Sequence, residues 1–225
     1  MTPGLFETVS QFPWYGWLAV ASGLGLVGYT IAHLSGRWHG FAIAGCLLLA
    51  APTSWFTYRN VSIERRMTEV ARRFTGDPTV WVNCAGMFDE LPHLGKAGWA
   101  QVVDPGTGAE AHLKAEQCDA LRSWLGGSPS SAASFDEMLA LHVYVHEIVH
   151  LSGVLDEAQT DCTAMQRTAE VARLFGGSDA WRTAGAALAA RYFAEVYPRM
   201  PDAYRSTECR PGGRLDRTPA DGRFP

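Results

Sequence analysis

The chain has 225 residues, of which 47% are hydrophobic, and its 19 basic and 23 acidic side chains leave a formal net charge of −4. That length is enough for one domain of ordinary size with an appendage. Because a nucleic-acid binder needs many phosphate-neutralising side chains, the near-neutral charge predicts no nucleic-acid partner. Charged residues are rare before Arg59 and occur at an ordinary frequency after it, which predicts that the chain consists of two parts of different character.

The first 58 residues predict a transmembrane helical hairpin. The uncharged run 14–34 would extend about 31 Å as a helix, which matches the hydrocarbon core of a bilayer. A second uncharged run, 38–58, carries aromatic residues near both ends. The lipid bilayer is therefore an expected partner, and a buried pair of core helices is the alternative. A GxGxxG pattern at 23–28 lies inside the first apolar run rather than after a strand, so we expect no nucleotide.

Two signals disagree about the side of the membrane on which the rest of the chain lies. Five arginines between positions 59 and 73 favour the cytoplasm by the positive-inside rule. Four cysteines, Cys84, Cys118, Cys162 and Cys209, form an even set without a CxxC pair, which is typical of disulfides in an oxidising compartment. We expect a protein of the cell membrane whose large domain is extracytoplasmic.

A connector helix and a small sheet are predicted next. Residues 59–78 place apolar side chains at helical spacing before a Gly-Asp-Pro stop. Short strands are predicted at 79–84 and 99–103 and near 111–113, and a helix at 115–125. The domain 79–225 is therefore expected to have an α+β fold.

Three helices are predicted in the C-terminal part of that domain. Ser134 opens a capping-box pattern, and its helix continues to about residue 152. Gly153 suits the left-handed conformation that ends a helix. Asp156, with Gln159 three residues later, predicts the start of the second helix, and a third helix follows over 178–197.

The first of these helices carries the sequence His146-Glu147-Ile148-Val149-His150, an HExxH motif. Histidines four residues apart face the same side of a helix and can hold one metal ion, beside which Glu147 can accept a proton from water. The motif arises by chance on the order of once in a hundred such sequences, so its context has to support it.

Acidic residues that follow the motif offer a third ligand. Catalytic zinc usually takes three protein ligands and keeps one open position. Glu157 and Asp161 are one helical turn apart, so one can bind the metal while the other supports a ligand. Asp156 is also a candidate, although it suits the N-cap of the helix. The residues leave all three open, with Glu157 favoured.

The segment 146–161 resembles the zincin superfamily of zinc metallopeptidases, above all the gluzincin arrangement, in which Glu-x-x-x-Asp follows HExxH. That resemblance implies Glu157 as the third ligand and Asp161 as the residue that orients a ligand histidine. The aspartate variant of the metzincin pattern is similar too, and it implies Asp156 instead. Only six residues separate His150 from Glu157, which is fewer than in most gluzincins.

The chain is also similar, over about residues 80–217, to a group of actinobacterial membrane-anchored proteins. The shared features are HExxH, the run 157–162 and a C-terminal Tyr-Arg-Ser-x-Glu-Cys-Arg-x-Gly-Gly, here 204–213. This resemblance implies a peptidase-like fold, with Cys84 paired to Cys118 and Cys162 paired to Cys209.

The function expected from the sequence is that of a membrane-anchored zinc metallopeptidase acting on a peptide or protein substrate. His146, His150 and Glu157 would hold Zn²⁺, and Glu147 would be the general base. The alternatives are a non-catalytic peptidase-like binding or assembly module, and a membrane protein whose HExxH is accidental. Tyr197 and Tyr204 are candidates for stabilising an oxyanion, and His142 is expected to be a buried histidine rather than a fourth ligand.

Overall fold

A computed structural model describes residues 22–27, 29–30, 61–85, 97–101, 109–130, 132–219 and 224–225. Contacts divide the chain into two units, Met1–Ser62 and Ile63–Pro225. In the first unit the described residues 22–27 and 29–30 are helical. The second unit contains all of the predicted metal ligands and all four predicted disulfide cysteines.

The predicted transmembrane hairpin is corrected. Across the part of the chain that the structure describes, no helix combines the length and the apolar character needed to cross a membrane. The first predicted span, 14–34, is described only at the eight helical residues above, whereas a crossing takes about 20 apolar residues. The second, 38–58, lies outside the described residues. The prediction rested on a lack of charge, which does not by itself specify a long helix.

The predicted fold class and membrane location are therefore wrong as stated. The described chain is mostly helical and contains one small sheet, rather than an α+β domain behind a membrane hairpin. The sheet has three strands, β1 (Trp81–Cys84), β2 (Gly98–Gln101) and β3 (Glu110–Leu113), in the order β1-β3-β2. β1 runs parallel to β3, and β2 runs antiparallel to it.

Helices surround this sheet. Helix α1 is described over 61–75, and α2 (Ala115–Gly126) follows β3. The others are α3 (Phe135–Leu151), α4 (Glu157–Gly176) and α5 (Asp179–Glu195). Two short 3₁₀ turns, Tyr197–Arg199 and Asp202–Tyr204, come after α5.

The predicted capping signals are confirmed. Ser134 Oγ accepts a hydrogen bond from the Glu137 amide at 3.1 Å, and Glu137 Oε2 accepts one from the Ser134 amide at 2.9 Å. Asp156 accepts from the Gln159 amide at 2.8 Å and begins α4. Gly153 has φ of +95°, a conformation that side-chain-bearing residues avoid, so the chain can reverse between α3 and α4.

Helix α3 lies at the centre of the second unit, where it contacts β2, β3, α2, α4 and α5. Most of its apolar side chains are buried, although Phe135 is 48% exposed, and the strand residues Val82, Ala111 and Leu113 are completely buried. Burial on this scale holds α3 in one position and therefore fixes the two histidines of its last turns. Two disulfides, Cys84–Cys118 and Cys162–Cys209, have the pairing that the resemblance implies.

Candidate metal centre

The two histidines of HExxH meet a carboxylate from the next helix. His146 Nε2 lies 3.1 Å from His150 Nε2, because residues four apart stack on one face of α3. Glu157 Oε2, in the first turn of α4, lies 3.0 Å from His146 Nε2 and 3.3 Å from His150 Nε2. We call His146, His150 and Glu157 the outer cluster.

Backbone and side-chain acceptors orient both imidazoles. His150 Nδ1 lies 2.7 Å from the carbonyl oxygen of Val154, which is an acceptor only, so this nitrogen carries the hydrogen. His146 Nδ1 lies 3.5 Å from Asp161 Oδ1, again on the side away from Glu157. Both Nε2 lone pairs then point toward Glu157 Oε2. Three acceptor atoms that converge in this way are stabilised when a proton or a metal ion lies between them.

The spacing of these three atoms fits a tetrahedral metal ion. A metal bound at about 2.0 Å requires about 3.3 Å between neighbouring ligand atoms. The three observed separations are 3.1, 3.0 and 3.3 Å. The outer cluster is one of two groups among the described residues that could hold a metal ion.

The second group that could hold a metal ion consists of His142, His146 and Asp161. Along their helices, His142 and Asp161 lie one turn away from His146 and Glu157, and they are more deeply buried. His142 Nε2 donates to Asp161 Oδ1 at 2.8 Å, and the Tyr192 hydroxyl donates to the same oxygen at 3.4 Å. The rings of His142 and Tyr192 are stacked, with centroids 3.5 Å apart and planes 14° from parallel. We call His142, Asp161 and Tyr192 the inner cluster. All three are nearly inaccessible, with exposures of 4%, 1% and 1%.

The carboxylates keep their charges in these surroundings. Burial raises the pKa of Asp161, but the charge and hydrogen bond of His142 and the contacts with His146 outweigh it and lower that pKa to about 2. The hydrogen bond with His146 is the main reason that the pKa of Glu157 lies below its usual value. Burial lowers the pKa of His146, whereas hydrogen bonds to Asp161 and Glu157 and the charge of Glu147 raise it overall to about 9. The outer cluster therefore holds a proton strongly, as expected of a site built for a cation.

A cavity of about 510 Å³ opens onto the outer cluster. Its lining includes Gly98, Trp99 and Ala100 of β2 and the residues Met200, Pro201 and Tyr204. All three residues of the inner cluster line it as well. Glu147 also lines it and is only 5% exposed. The cavity therefore gives a ligand access to His146, His150, Glu157 and the predicted general base.

Gly98 provides the space that Glu147 occupies. A Cβ atom on Gly98 would lie 2.9 Å from Glu147 Oε1, 3.1 Å from Glu147 Cγ and 3.1 Å from the carbonyl oxygen of His112. Since Cβ atoms essentially never approach within 3.0 Å of another heavy atom, any larger residue at this position would displace the carboxylate. The close approach of β2 to α3 thus depends on this glycine.

The remaining predicted site residues, Asp156, Tyr197 and Tyr204, lie in three different environments. Asp156 is exposed, is used as the N-cap of α4 and belongs to neither candidate metal group of the described chain. Tyr197 is buried and exchanges hydrogen bonds with the backbone of Ser206. Tyr204 lines the cavity, and its ring centroid lies 6.0 Å from that of His146.

Sequence reasoning missed three contributors to the site. Gly98 and Tyr192 are far from the motif in sequence, and no local pattern relates them to Glu147 or Asp161. His142 was expected only to be buried, yet its spacing of four residues from His146 does signal a shared helical face. That spacing is the one signal that could have revealed the inner cluster.

The sequence matches no family model, and it matches neither a curated protein nor a solved structure at a significant level.

Proposed function

We propose that the chain is a zinc-dependent hydrolase that cleaves peptide bonds. The observation that carries this proposal is the convergence of His146, His150 and Glu157 on one point at the wall of a cavity that Glu147 also lines. A buried carboxylate beside a three-ligand metal group is the arrangement required for metal-assisted hydrolysis.

Zinc is the metal that this ligand set favours. Two imidazole nitrogens and one carboxylate oxygen are typical ligands of catalytic zinc, which prefers tetrahedral coordination. Magnesium and calcium take oxygen ligands almost exclusively, and they require more of them. When bound, zinc supplies Lewis acidity, which activates water and polarises a carbonyl group.

The residues of the chain supply the proton transfers and the orientation. Glu147 is the general base in this proposal, because it is held in the cavity by β2 and is next to a ligand in sequence. Asp161 and the Val154 carbonyl hold His146 and His150 with Nε2 directed at the metal position. Tyr204, which lines the cavity near His146, would supply a hydroxyl group to stabilise charge on a substrate oxygen.

A peptide is the substrate that the cavity suits best. Within the described residues, β2 pairs with β3, and its residues Gly98, Trp99 and Ala100 line the cavity. The apolar side chains Leu139, Val143 and Met200 line the same space and suit an apolar residue of the peptide.

Metal analysis and a peptide-cleavage assay on the full chain test this proposal. We expect about one zinc per chain by elemental analysis and cleavage of members of a quenched-fluorescence peptide library. Glu147→Gln should retain zinc and lower turnover by roughly 10²–10⁴-fold, the usual contribution of general acid–base catalysis. The control is Glu64→Gln, which makes the same change at a carboxylate that accepts from the Cys84 amide, outside the cavity, and should retain activity.

The other outcomes are equally informative. Zinc binding without cleavage of any peptide would overturn the catalytic proposal and favour a binding or assembly module. A well-folded wild type that binds no added zinc would overturn the metal site as well.

A further inference from the structure

His142 has no role in the chemistry proposed above, yet it is built into the site. Its side chain is 4% exposed and its ring stacks on Tyr192 at a centroid separation of 3.5 Å. Its Nδ1 has no hydrogen-bond partner among the described residues, whereas its Nε2 lies 2.8 Å from Asp161 Oδ1. The hydrogen is therefore on Nε2, and the ring serves as a donor to that carboxylate.

The position of Asp161 depends more on His142 than on the metal ligand. Asp161 Oδ1 lies 2.8 Å from His142 Nε2 but 3.5 Å from His146 Nδ1. Hydrogen bonds of nitrogen to oxygen have their preferred length near 2.9 Å, so the contact with His142 is the strong one. Asp161 is 1% exposed, so little of its surface is open to a solvent molecule that could replace that donor.

A chain of contacts thus leads from His142 through Asp161 to His146. Partners behind a ligand histidine fix its tautomer and ring orientation and raise its basicity. We propose that His142 is a positioning residue that sets the zinc affinity of the outer cluster by holding Asp161 in place. This inference rests on the proposed zinc site, but it concerns metal affinity rather than catalysis.

The hydrogen bond from His142 to Asp161 also affects how many metal ions the chain can bind. His142, His146 and Asp161 form the second group of potential ligands among the described residues. A histidine nitrogen that carries a hydrogen cannot bind a metal, and His142 Nε2 donates its hydrogen to Asp161. We therefore expect the inner cluster to support the metal site rather than to bind a second ion, which gives one zinc per chain.

The test is the zinc dissociation constant of the full chain, measured by competition with a chelator of known affinity. His142→Phe keeps the aromatic stack on Tyr192 but removes the donor, and we expect the dissociation constant to rise roughly tenfold. His142→Gln returns an N–H group near the position of Nε2 and should recover part of that loss. In an Asp161→Asn background, His142→Phe should have little further effect, because its route to His146 has been altered.

A matched control separates affinity from stability. Tyr144 lies on the same helix, is completely buried and donates its hydroxyl to the Met67 carbonyl at 2.6 Å. Tyr144→Phe removes a buried hydrogen bond without touching either cluster, so it should lower the melting temperature of the metal-free protein and leave the zinc dissociation constant unchanged.

Several results would overturn the inference. An unchanged dissociation constant in His142→Phe would do so, and should that variant not fold, an unchanged value in His142→Leu, which also lacks the donor, would do so. A full effect of His142→Phe in the Asp161→Asn background, or two zinc ions per wild-type chain, would also contradict it. Absence of zinc binding to the wild type would overturn this inference and the proposed metal site together, whereas loss of peptide cleavage alone would affect only the proposed function.

Discussion

The outer and inner clusters each combine histidine and carboxylate side chains from α3 and α4, to which the inner cluster adds Tyr192 from α5, yet their surroundings differ. Both clusters line the cavity, but the Glu157 side chain in the outer cluster is 43% exposed, whereas the Asp161 side chain in the inner cluster is 1% exposed. A shift of one helical turn along α3 and α4 separates the two. Exposure therefore decides the chemistry: an open group of acceptors can bind a cation, and a closed one with its own donors stabilises the structure.

The largest expected effect is on the free energy of unfolding, and it distinguishes the two clusters when one carboxylate is removed from each in turn. Asp161→Ala leaves His142 and Tyr192 buried without their shared acceptor, so the free energy of unfolding of the metal-free protein should fall by about 3 kcal/mol. Glu157→Ala should lower it by less than about 1 kcal/mol, because that side chain is partly solvated, yet it should abolish tight zinc binding. Urea unfolding and zinc titration measure both quantities. Equal losses of stability would show that the clusters do not differ as proposed.

A substitution at Gly98 tests the role of Glu147, which lines the cavity beside it. Gly98→Ala brings a methyl group to 2.9 Å from Glu147 Oε1, and displacement of a catalytic group by about 1 Å costs up to 100-fold in rate. We expect peptide turnover to fall by about 10–100-fold while the zinc dissociation constant stays within twofold of the wild-type value. Gly126→Ala is the control, since a Cβ there meets no atom within 4 Å. Wild-type turnover in Gly98→Ala would argue against Glu147 as the base.

The smallest expected effect is the acid dependence of stability. The pKa of Asp161 falls from 3.8 to about 2 on folding, so its charge contributes stability that is complete above pH 3.8 and is lost as the pH falls through 2. The expected contribution is on the order of 2 kcal/mol. The difference in unfolding free energy between metal-free wild type and Asp161→Asn should therefore shrink between pH 4 and pH 2. A difference that does not change with pH would mean that Asp161 is not held as an anion.

Local signals in the sequence were sufficient for most of the helices. The capping box at Ser134 and the glycine at 153 specify where α3 begins and ends, because they satisfy backbone groups within a few residues. The HExxH spacing also predicts that His146 and His150 share a face, and the structure brings Glu157 to them. In each case the interacting groups are close in sequence.

What could not be predicted depends on contacts between distant segments. The strand order β1-β3-β2 and the approach of Gly98 to Glu147 arise from packing that periodicity does not encode. The hydrogen bond from His142 to Asp161 joins residues 19 apart on two helices. The membrane hairpin failed for a different reason, because a low charge density was treated as evidence of two long apolar helices.

The bond between Cys162 and Cys209 has a consequence for how a substrate would enter. It starts one residue after Asp161 and closes a loop of 47 residues in sequence, a constraint worth about 4 kcal/mol of chain entropy. That loop contains Met200, Pro201 and Tyr204, so one side of the cleft is covalently fastened to the helix that bears Glu157. A side fastened in this way cannot swing aside like a hinged flap. Substrate selection would then depend on the fit of a segment to a fixed opening.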